Sequence, residues 1–327
     1  MKIDVHAHII DRQYMDELRR VADLTPVRES SGKTLLRKGD HTYMWYRDDM
    51  FDTGFRLREM DRKGIDIRIL SLSSPNVYVW ERAAQIDLAR RLNDATARVC
   101  RAHPDRFLGL ASLPLKDVGA SLSELERAIQ DLGMAGVMIG SNIDGVPLND
   151  PRFEPVWARI DELRLPVFEH PMLPRNTADM EEFELPLRLG FVFDTTLAVT
   201  RMIYSGIFER YPGFPYILAH TGGTLLMLLE RLDNGYRLFP DCRAKINKLP
   251  SVYARRLYYD TTSFFEPALM LAHGCVGADQ LLFGTDDPLI DSDTDHVERL
   301  PIPRADRDKI LGGNAARLCG IKAGARA

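Results

Sequence analysis

Short apolar segments alternate with longer amphipathic segments along most of the chain. Runs of about four to eight apolar residues are typical of strands buried on both faces. Apolar residues at helical spacing are typical of helices that pack on one face. The predicted strands are residues 2–8, 65–72, 107–113, 135–139, 165–169, 216–219, 257–260 and 281–284. The predicted helices are residues 55–63, 81–102, 121–132, 151–163, 195–211, 224–233, 267–273 and 304–319.

This alternation predicts an α/β fold, a parallel (β/α)₈ TIM barrel. The alternative is a doubly wound open sheet, which would usually carry a Gly-rich phosphate loop after its first strand. This chain has His6-Ala7-His8 at that position instead. No linker or internal repeat divides the sequence, so we expect one domain over residues 1–327. An irregular segment, about 12–54, is predicted to be a small insertion over the mouth of the site.

Composition excludes several classes of partner. Hydrophobic residues make up 45% of the 327 residues, enough for a large core. The net charge of −4, with both signs interspersed, argues against nucleic-acid binding. No apolar run is long enough for a membrane span, and no apolar signal segment precedes Lys2, so we expect neither membrane nor export. The four cysteines are scattered without a C-x-x-C pair, which predicts reduced thiols in a cytoplasmic protein.

Polar residues stand at the ends of four predicted strands. His6 and His8 are two residues apart and therefore project to the same side of the first strand. His170, His220 and Asp286 follow the fifth, sixth and eighth strands. Because the carboxyl ends of barrel strands share one rim, we expect these side chains to lie together. A single histidine at a strand end is usually structural, but this joint placement predicts a metal site.

Three imidazoles and one carboxylate suit a divalent ion such as zinc, with water or substrate completing the shell. The expected donors are His6, His8, His170 and Asp286. Asp287 is the alternative carboxylate, and strand alternation turns only one of the two inward. A fifth protein ligand would crowd out substrate, so we assign His220 the role of general acid or base. The fourth strand ends without a lysine that could bridge two ions, so we expect one metal ion.

The residues resemble the amidohydrolase superfamily, in the branch of aminocarboxymuconate semialdehyde decarboxylase and related nonoxidative decarboxylases of aromatic acids. The resemblance extends nearly from end to end. It is carried by the segments MKIDVHAHI, FRLREMDRKGIDIRILSLS, HPDRFLGLASLPL, GVMIG, SGIFERYPGF, LAHTGGTLLMLLERLDNGY, LYYDTT, LLFGTDDP and GNAARLCG. It implies that His6, His8, His170 and Asp286 hold the metal, usually zinc and sometimes manganese, and that His220 is catalytic.

The resemblance also implies that a second subunit completes the site. Arg231 matches an arginine that, in this family, reaches into the neighbouring subunit and binds a substrate carboxylate, so we expect a homodimer. A second carboxylate-binding arginine of the semialdehyde decarboxylase falls here on Met44, counted without gaps. Arg47 lies nearby and is the candidate replacement. Alternatively, Met44 and Trp45 make the pocket more apolar, which suits an aromatic ring.

The predicted function is metal-dependent, nonoxidative decarboxylation of a small carboxylic acid, either a hydroxybenzoate or a muconate-like acid. Asp286 is a second candidate catalytic residue, as a proton donor to the carbon that loses CO₂. A hydrolase or hydratase of a lactone, amide or unsaturated acid would use the same residues and is the alternative. A non-catalytic metal-binding protein is the remote alternative.

Overall fold

Eight parallel strands pair in chain order to form one sheet. The computed structural model describes residues 1–180 and 182–321, so Glu181 and positions 322–327 of the expected domain lie outside the described residues. The strands are β1 (Ile3–Ile9), β2 (Ile67–Leu72), β3 (Phe107–Ser112), β4 (Gly136–Gly140), β5 (Val167–His170), β6 (Tyr216–Leu218), β7 (Tyr258–Asp260) and β8 (Leu281–Leu282).

Hydrogen bonds between the last strand and the first complete the barrel. The Val5 amide donates to the Phe283 carbonyl at 2.9 Å. Beyond the end of β8, Ala7 and Asp287 form a parallel bridge, and the His8 amide donates to the Asp287 carbonyl at 2.6 Å. The predicted (β/α)₈ barrel is therefore confirmed, because the last strand returns to the first instead of ending at an open edge.

Helices surround the barrel. The α-helices are α1 (Arg12–Val21), α2 (Thr53–Lys63), α3 (Arg82–Ala102), α4 (Val118–Gln130), α5 (Glu154–Leu163), α6 (Phe191–Tyr204), α7 (Ile207–Arg210), α8 (Leu229–Leu238), α9 (Pro240–Arg243), α10 (Pro250–Ala254), α11 (Glu266–Val276), α12 (Asp295–Glu298), α13 (Arg304–Asp308) and α14 (Asn314–Leu318). Short 3₁₀ and π turns occupy Asp48–Phe51, Pro151–Phe153, Pro186–Gly190, His220–Gly222, Leu225–Leu228, Ala278–Gln280 and Lys309–Gly313. No helix among the described residues is both long and apolar enough to cross a bilayer.

Two helices differ from their predicted bounds for local reasons. Helix α4 begins before Ser121, because the Asp117 carboxylate caps it by accepting a hydrogen bond from the Ala120 amide. The predicted helix 195–211 is divided into α6 and α7 at Gly206. This glycine has a φ of +75°, and a Cβ there would lie 2.4 Å from the Lys245 carbonyl oxygen. A left-handed residue of this kind ends a helix.

The segment 12–54 has secondary structure of its own. Helix α1 is followed by a three-stranded antiparallel sheet, made of Thr25–Arg28, Thr34–Lys38 and His41–Tyr46. Thr42 ties this sheet to the long segment after β5, because its amide and hydroxyl donate to the Glu184 carboxylate at 2.7 and 2.9 Å. A shorter hairpin, Asn142–Ile143 with Val146–Pro147, follows β4.

Candidate active site

Four donor side chains meet at the carboxyl end of the barrel. His6, His8, His170 and Asp286 each offer one atom, and these atoms lie within 4.8 Å of one another. The Nε2 atoms of His6 and His8 are 3.2 Å apart. Asp286 Oδ1 lies 3.3 Å from His6 Nε2 and 3.1 Å from His8 Nε2. The structure thus brings together the four residues that the sequence nominated as a set.

The outward-facing nitrogens of the three rings are held by oxygen atoms. His6 Nδ1 donates to Asp260 Oδ2 at 2.6 Å, and His170 Nδ1 donates to the Pro171 carbonyl at 2.9 Å. His8 Nδ1 lies 3.2 Å from Ser71 Oγ. A carbonyl or carboxylate oxygen only accepts, so it fixes the proton on Nδ1 and leaves the Nε2 lone pair facing the cluster. The residues present therefore fit a divalent metal ion.

Electrostatics favour ligand-competent states for most of the cluster. Burial lowers the pKa of His170 well below its usual value, and the neighbouring histidines add to this effect. Burial also lowers the pKa of His8. Burial alone would raise the pKa of Asp286, but the charge of His6 and hydrogen bonds from the surrounding imidazoles hold it well below its usual range. Neutral imidazoles and an ionised carboxylate are the forms that bind metal.

His6 is the exception. Burial would lower its pKa, but the nearby carboxylates of Asp286 and Asp260 raise it to about 10. A cation among two carboxylates balances charge in a site that burial otherwise isolates from water. The same two carboxylates that stabilise the protonated ring would balance the charge of a bound metal cation.

His220 lies beside the cluster in a turn with left-handed backbone. Its Nε2 is 3.7 Å from Asp286 Oδ2, and its φ is +52°. Strand β6 ends at Leu218, so this histidine belongs to a 3₁₀ turn rather than to the strand end. The glycines after it serve packing: a Cβ on Gly222 would lie 2.7 Å from the Tyr259 ring.

The side chains of Asp286 and Asp287 lie in different surroundings. Asp286 also has a left-handed backbone, with a φ of +58°, and its amide donates to the His6 carbonyl at 2.8 Å. The side chain of Asp287 is engaged by two buried arginines, Arg56 at 2.7 Å and Arg68 at 3.0 Å. Asp286 is therefore the carboxylate that faces the histidines, and Asp287 forms ion pairs outside the cluster.

Asp260 is a site residue that the sequence reasoning missed. It ends strand β7 and is fully buried. Besides His6, it accepts hydrogen bonds from the amides of Thr221 at 2.9 Å and Thr262 at 3.0 Å. It therefore joins a candidate metal ligand to the turn that carries His220. The sequence could have indicated Asp260, because it is a polar residue at the end of a predicted strand, like the other site residues.

The two arginines nominated for substrate binding have different surroundings in the structure. Arg231, on α8, is exposed, and no ion pair or hydrogen bond of its side chain is found among the described residues. Arg47 Nε donates to the Asp49 carboxylate at 3.1 Å, and its guanidinium lies 5.9 Å from the Trp45 ring centroid. Met44 is buried in the core. Neither arginine contacts the four donors within the chain.

Strand β4 supplies no ligand. It ends at Gly140, where a Cβ would lie 2.6 Å from the Met172 side chain and 2.9 Å from the Tyr78 ring. No side chain longer than hydrogen fits this position without rearrangement. Among the described residues, the four-donor cluster is the single group of histidine, cysteine and acidic side chains with metal-site geometry.

Relatives of this chain in sequence include named decarboxylases. The 2-amino-3-carboxymuconate-6-semialdehyde decarboxylase of Dictyostelium discoideum is 30% identical over 98% of this chain and 92% of its own length. The gamma-resorcylate decarboxylase of Rhizobium sp. (strain MTP-10005) is 36% identical over 83% of this chain and 87% of its own.

Solved structures agree with the sequence comparison. The 5-carboxyvanillate decarboxylase of Sphingomonas paucimobilis superposes with a TM-score of 0.86 at 27% identity, covering 98% of this chain and 99% of its own. The dihydroxybenzoic acid decarboxylase of Polaromonas sp. JS666, solved with bound manganese and 2-nitroresorcinol, gives 0.83 at 27% identity over 98% of each chain. The family model for amidohydrolases (Amidohydro_2) matches residues 3–321. The chain therefore belongs to the amidohydrolase family, in its branch of aminocarboxymuconate semialdehyde and resorcylate decarboxylases.

Proposed function

We propose that this protein is a metal-dependent nonoxidative decarboxylase of a small aromatic or muconate-like carboxylic acid. The observation that carries the proposal is the cluster of His6, His8, His170 and Asp286 with His220 beside it. This set lies at the catalytic end of a barrel whose relatives act on resorcylate, carboxyvanillate and methylsalicylate.

We propose one divalent ion, held by His6, His8, His170 and Asp286. Three imidazole nitrogens and one carboxylate suit zinc, and manganese is the alternative because the Polaromonas relative binds it. Such an ion supplies Lewis-acid stabilisation of negative charge on a substrate oxygen. The metal content of the purified protein, measured by elemental analysis, distinguishes the two ions. Two equivalents retained through dialysis would contradict a single site.

The side chains around the cluster have to move one proton. Decarboxylation breaks the bond between the ring carbon and its carboxylate, and a proton takes the place of the departing CO₂. If the carbon is protonated first, the electron pair of the broken bond restores the aromatic ring as CO₂ leaves. We assign this proton to Asp286 and His220, whose Oδ2 and Nε2 lie 3.7 Å apart. The His220 and Asp286 side chains are 19% and 13% exposed, so few water molecules compete for the proton.

We propose a cavity that borders the insertion as the pocket for an aromatic acid. It has a volume of about 260 Å³ and opens at the same end of the barrel, because its walls include segments that follow β2, β4 and β5. Tyr43, Tyr78 and Met172 line it, and its charged lining residues are the cations Lys38 and Arg175 and the anion Asp144. Aromatic walls and cations complement a ring that bears carboxylates. Arg47, in the same insertion as Tyr43, is a further cation that we propose to orient a carboxylate.

We further propose a homodimer in which Arg231 serves the partner's site. Its guanidinium has no acidic partner among the described residues, and apolar side chains near it on the same helix and the preceding turn are exposed. Met227 is 75% exposed and Leu238 is 69% exposed. Apolar exposure of this kind around a free arginine is typical of a subunit interface. Size-exclusion chromatography with light scattering measures the mass directly. The four free cysteines support the proposal of a reducing, cytoplasmic compartment.

The decisive experiment measures CO₂ release from purified, metal-loaded protein, with a chelator-treated sample as control. The substrate panel contains ortho-hydroxybenzoates, their methoxy and dicarboxy relatives, and carboxymuconate-type acids. Metal-dependent CO₂ from any member would establish the reaction class. An intact metalloprotein that releases none from the whole panel would overturn the proposal. The hydrolase or hydratase alternative would then be tested on lactones and unsaturated acids.

A further inference from the structure

We propose that Arg56, on helix α2 outside the barrel, is a positioning residue that sets the metal affinity of the site through Asp287. The inference rests on the metal site of the proposed function. Arg56 Nη2 donates to Asp287 Oδ2 at 2.7 Å, and Arg68 Nη1 lies 3.0 Å from the same oxygen. Arg68 Nε donates in turn to Asp4 Oδ2 at 3.2 Å. We call these four side chains, all buried, the ion cluster.

The backbone connects the ion cluster to the candidate ligands. The carbonyl of Asp287 accepts a hydrogen bond from the His8 amide at 2.6 Å. At the other end of the ion cluster, Asp4 Oδ1 accepts from the amides of His6 at 3.1 Å and Thr285 at 3.0 Å. Three of the four metal donors therefore sit on two chain segments that the ion cluster holds together.

Backbone strain explains why this support is needed. Asp286 has a φ of +58°. This conformation costs a non-glycine residue free energy, and it persists only where the surrounding structure enforces it. Its neighbour Asp287 supplies the enforcement, because two arginines hold its side chain and His8 holds its carbonyl. Without that anchor, the Asp286 carboxylate would lose the orientation that places Oδ1 near His6 and His8.

The charge balance of the ion cluster depends on Arg56. The ion cluster contains two guanidinium groups and two carboxylates, all buried, so its charges cancel. Removing one partner of a buried ion pair leaves an uncompensated charge, which the structure relieves by rearranging. Loss of Arg56 would leave Asp287 with Arg68 alone, and Arg68 is already shared with Asp4. The carboxylate would shift toward Arg68 and move the adjoining peptide of Asp286.

The test compares Arg56→Gln with Arg56→Lys and with Arg58→Gln. Arg58 is the matched control, because it lies on the same helix, is exposed and pairs loosely with Asp52 at 3.7 Å. Zinc affinity is measured by competition with a chromogenic chelator. The visible absorption of Co²⁺-loaded protein reports ligand geometry. Thermal unfolding of the metal-free proteins measures stability independently of the ion.

We expect Arg56→Gln to weaken zinc binding at least tenfold and to alter the Co²⁺ spectrum, in line with other outer-sphere ligand supports. Arg56→Lys should recover most of the affinity, and Arg58→Gln should match the wild type. Wild-type affinity and spectrum in Arg56→Gln, even with a lowered melting temperature, would overturn the inference. If Arg56→Gln does not fold, Asp287→Asn decides in the same way. Absence of metal binding by the wild type would instead refute the proposed site.

Discussion

Replacing Asp260 by asparagine changes one atom behind His6 and should turn the ring's lone pair away from the metal. Asp260 Oδ1 accepts from the amides of Thr221 and Thr262, so an asparagine keeps its oxygen there. Its NH₂ group then faces His6 Nδ1, where Oδ2 lay at 2.6 Å. Because the NH₂ group donates, His6 Nδ1 must accept and carry its proton on Nε2 instead. An Nε2–H cannot bind a metal ion.

The magnitude follows from the bond that is lost. A hydrogen bond to a charged group contributes about 1.5–3 kcal/mol, and mutation of such outer partners typically costs about 10–100-fold in metal affinity. The hydrogen bond between Asp260 and His6 is short and fully buried, and its acceptor is a carboxylate. We therefore expect a loss of metal affinity in the upper part of the range. Ser71→Ala is the matched comparison. It removes a neutral partner 3.2 Å from His8 Nδ1, worth about 0.5–1.5 kcal/mol, and should weaken binding less than Asp260→Asn.

Competition with a chromogenic chelator at neutral pH measures the metal affinity of both variants and the wild type. Circular dichroism verifies that each variant is folded. A metal affinity of Asp260→Asn within about threefold of wild type, well short of the roughly 10-fold minimum for such partners, would refute the tautomer argument. A larger loss of metal affinity in Ser71→Ala than in Asp260→Asn would refute the predicted order of the two effects. It would mean that the neutral hydroxyl supports metal binding more strongly than the carboxylate.

Three other predictions follow from single contacts. His220→Ala should abolish CO₂ release while metal content, measured by elemental analysis, stays at the wild-type level; near-normal turnover would contradict its proton role. Gly284→Ala should lower the melting temperature, because the new Cβ would lie 2.9 Å from the Cβ of His6 and 3.0 Å from Thr262 Cγ2, and such overpacking costs about 1–3 kcal/mol. Burial raises the pKa of the Cys100 thiol to about 12, so its thiolate fraction in the folded protein rises with pH across the whole neutral and mildly alkaline range. Its alkylation, followed by mass spectrometry, should therefore accelerate about tenfold per pH unit without levelling off near pH 9, the ordinary thiol value, where the unfolded chain levels off.

The barrel could be predicted because its strands are buried on both faces. Continuous apolar runs then alternate with helical patterns, and the carboxyl ends of parallel strands must share one rim. The placement of His6 and His8 follows from the period of two along β1. The small sheet within the segment 12–54 was not predicted, because the residues of His41–Tyr46 do not alternate between apolar and polar even though their burial alternates in the structure.

The supports behind the ligands were not predictable in the same way. Arg68 interrupts an apolar strand, and its partner Asp287 lies far along the chain, so no local pattern links them. Arg56 has the appearance of an ordinary helix arginine, and only the folded structure shows it buried against Asp287. The left-handed backbone of Asp286 was likewise not predictable, because aspartate tolerates that conformation more often than most residues but adopts it only in a minority of positions.

The Nδ1 partners of the imidazoles distinguish the candidate metal ligands from the candidate proton carrier. His6 and His170 each have Nδ1 held by an oxygen that only accepts, which fixes one tautomer and keeps the Nε2 lone pair directed inward. His8 Nδ1 lies 3.2 Å from the Ser71 hydroxyl. His220 Nδ1 is buried and has no hydrogen-bond partner among the described residues, so no contact there fixes its tautomer. A ligand needs a permanent lone pair, whereas a proton carrier has to hold a proton and release it. The ring beside Asp286 that lacks an Nδ1 partner is therefore the one to which we assign proton transfer.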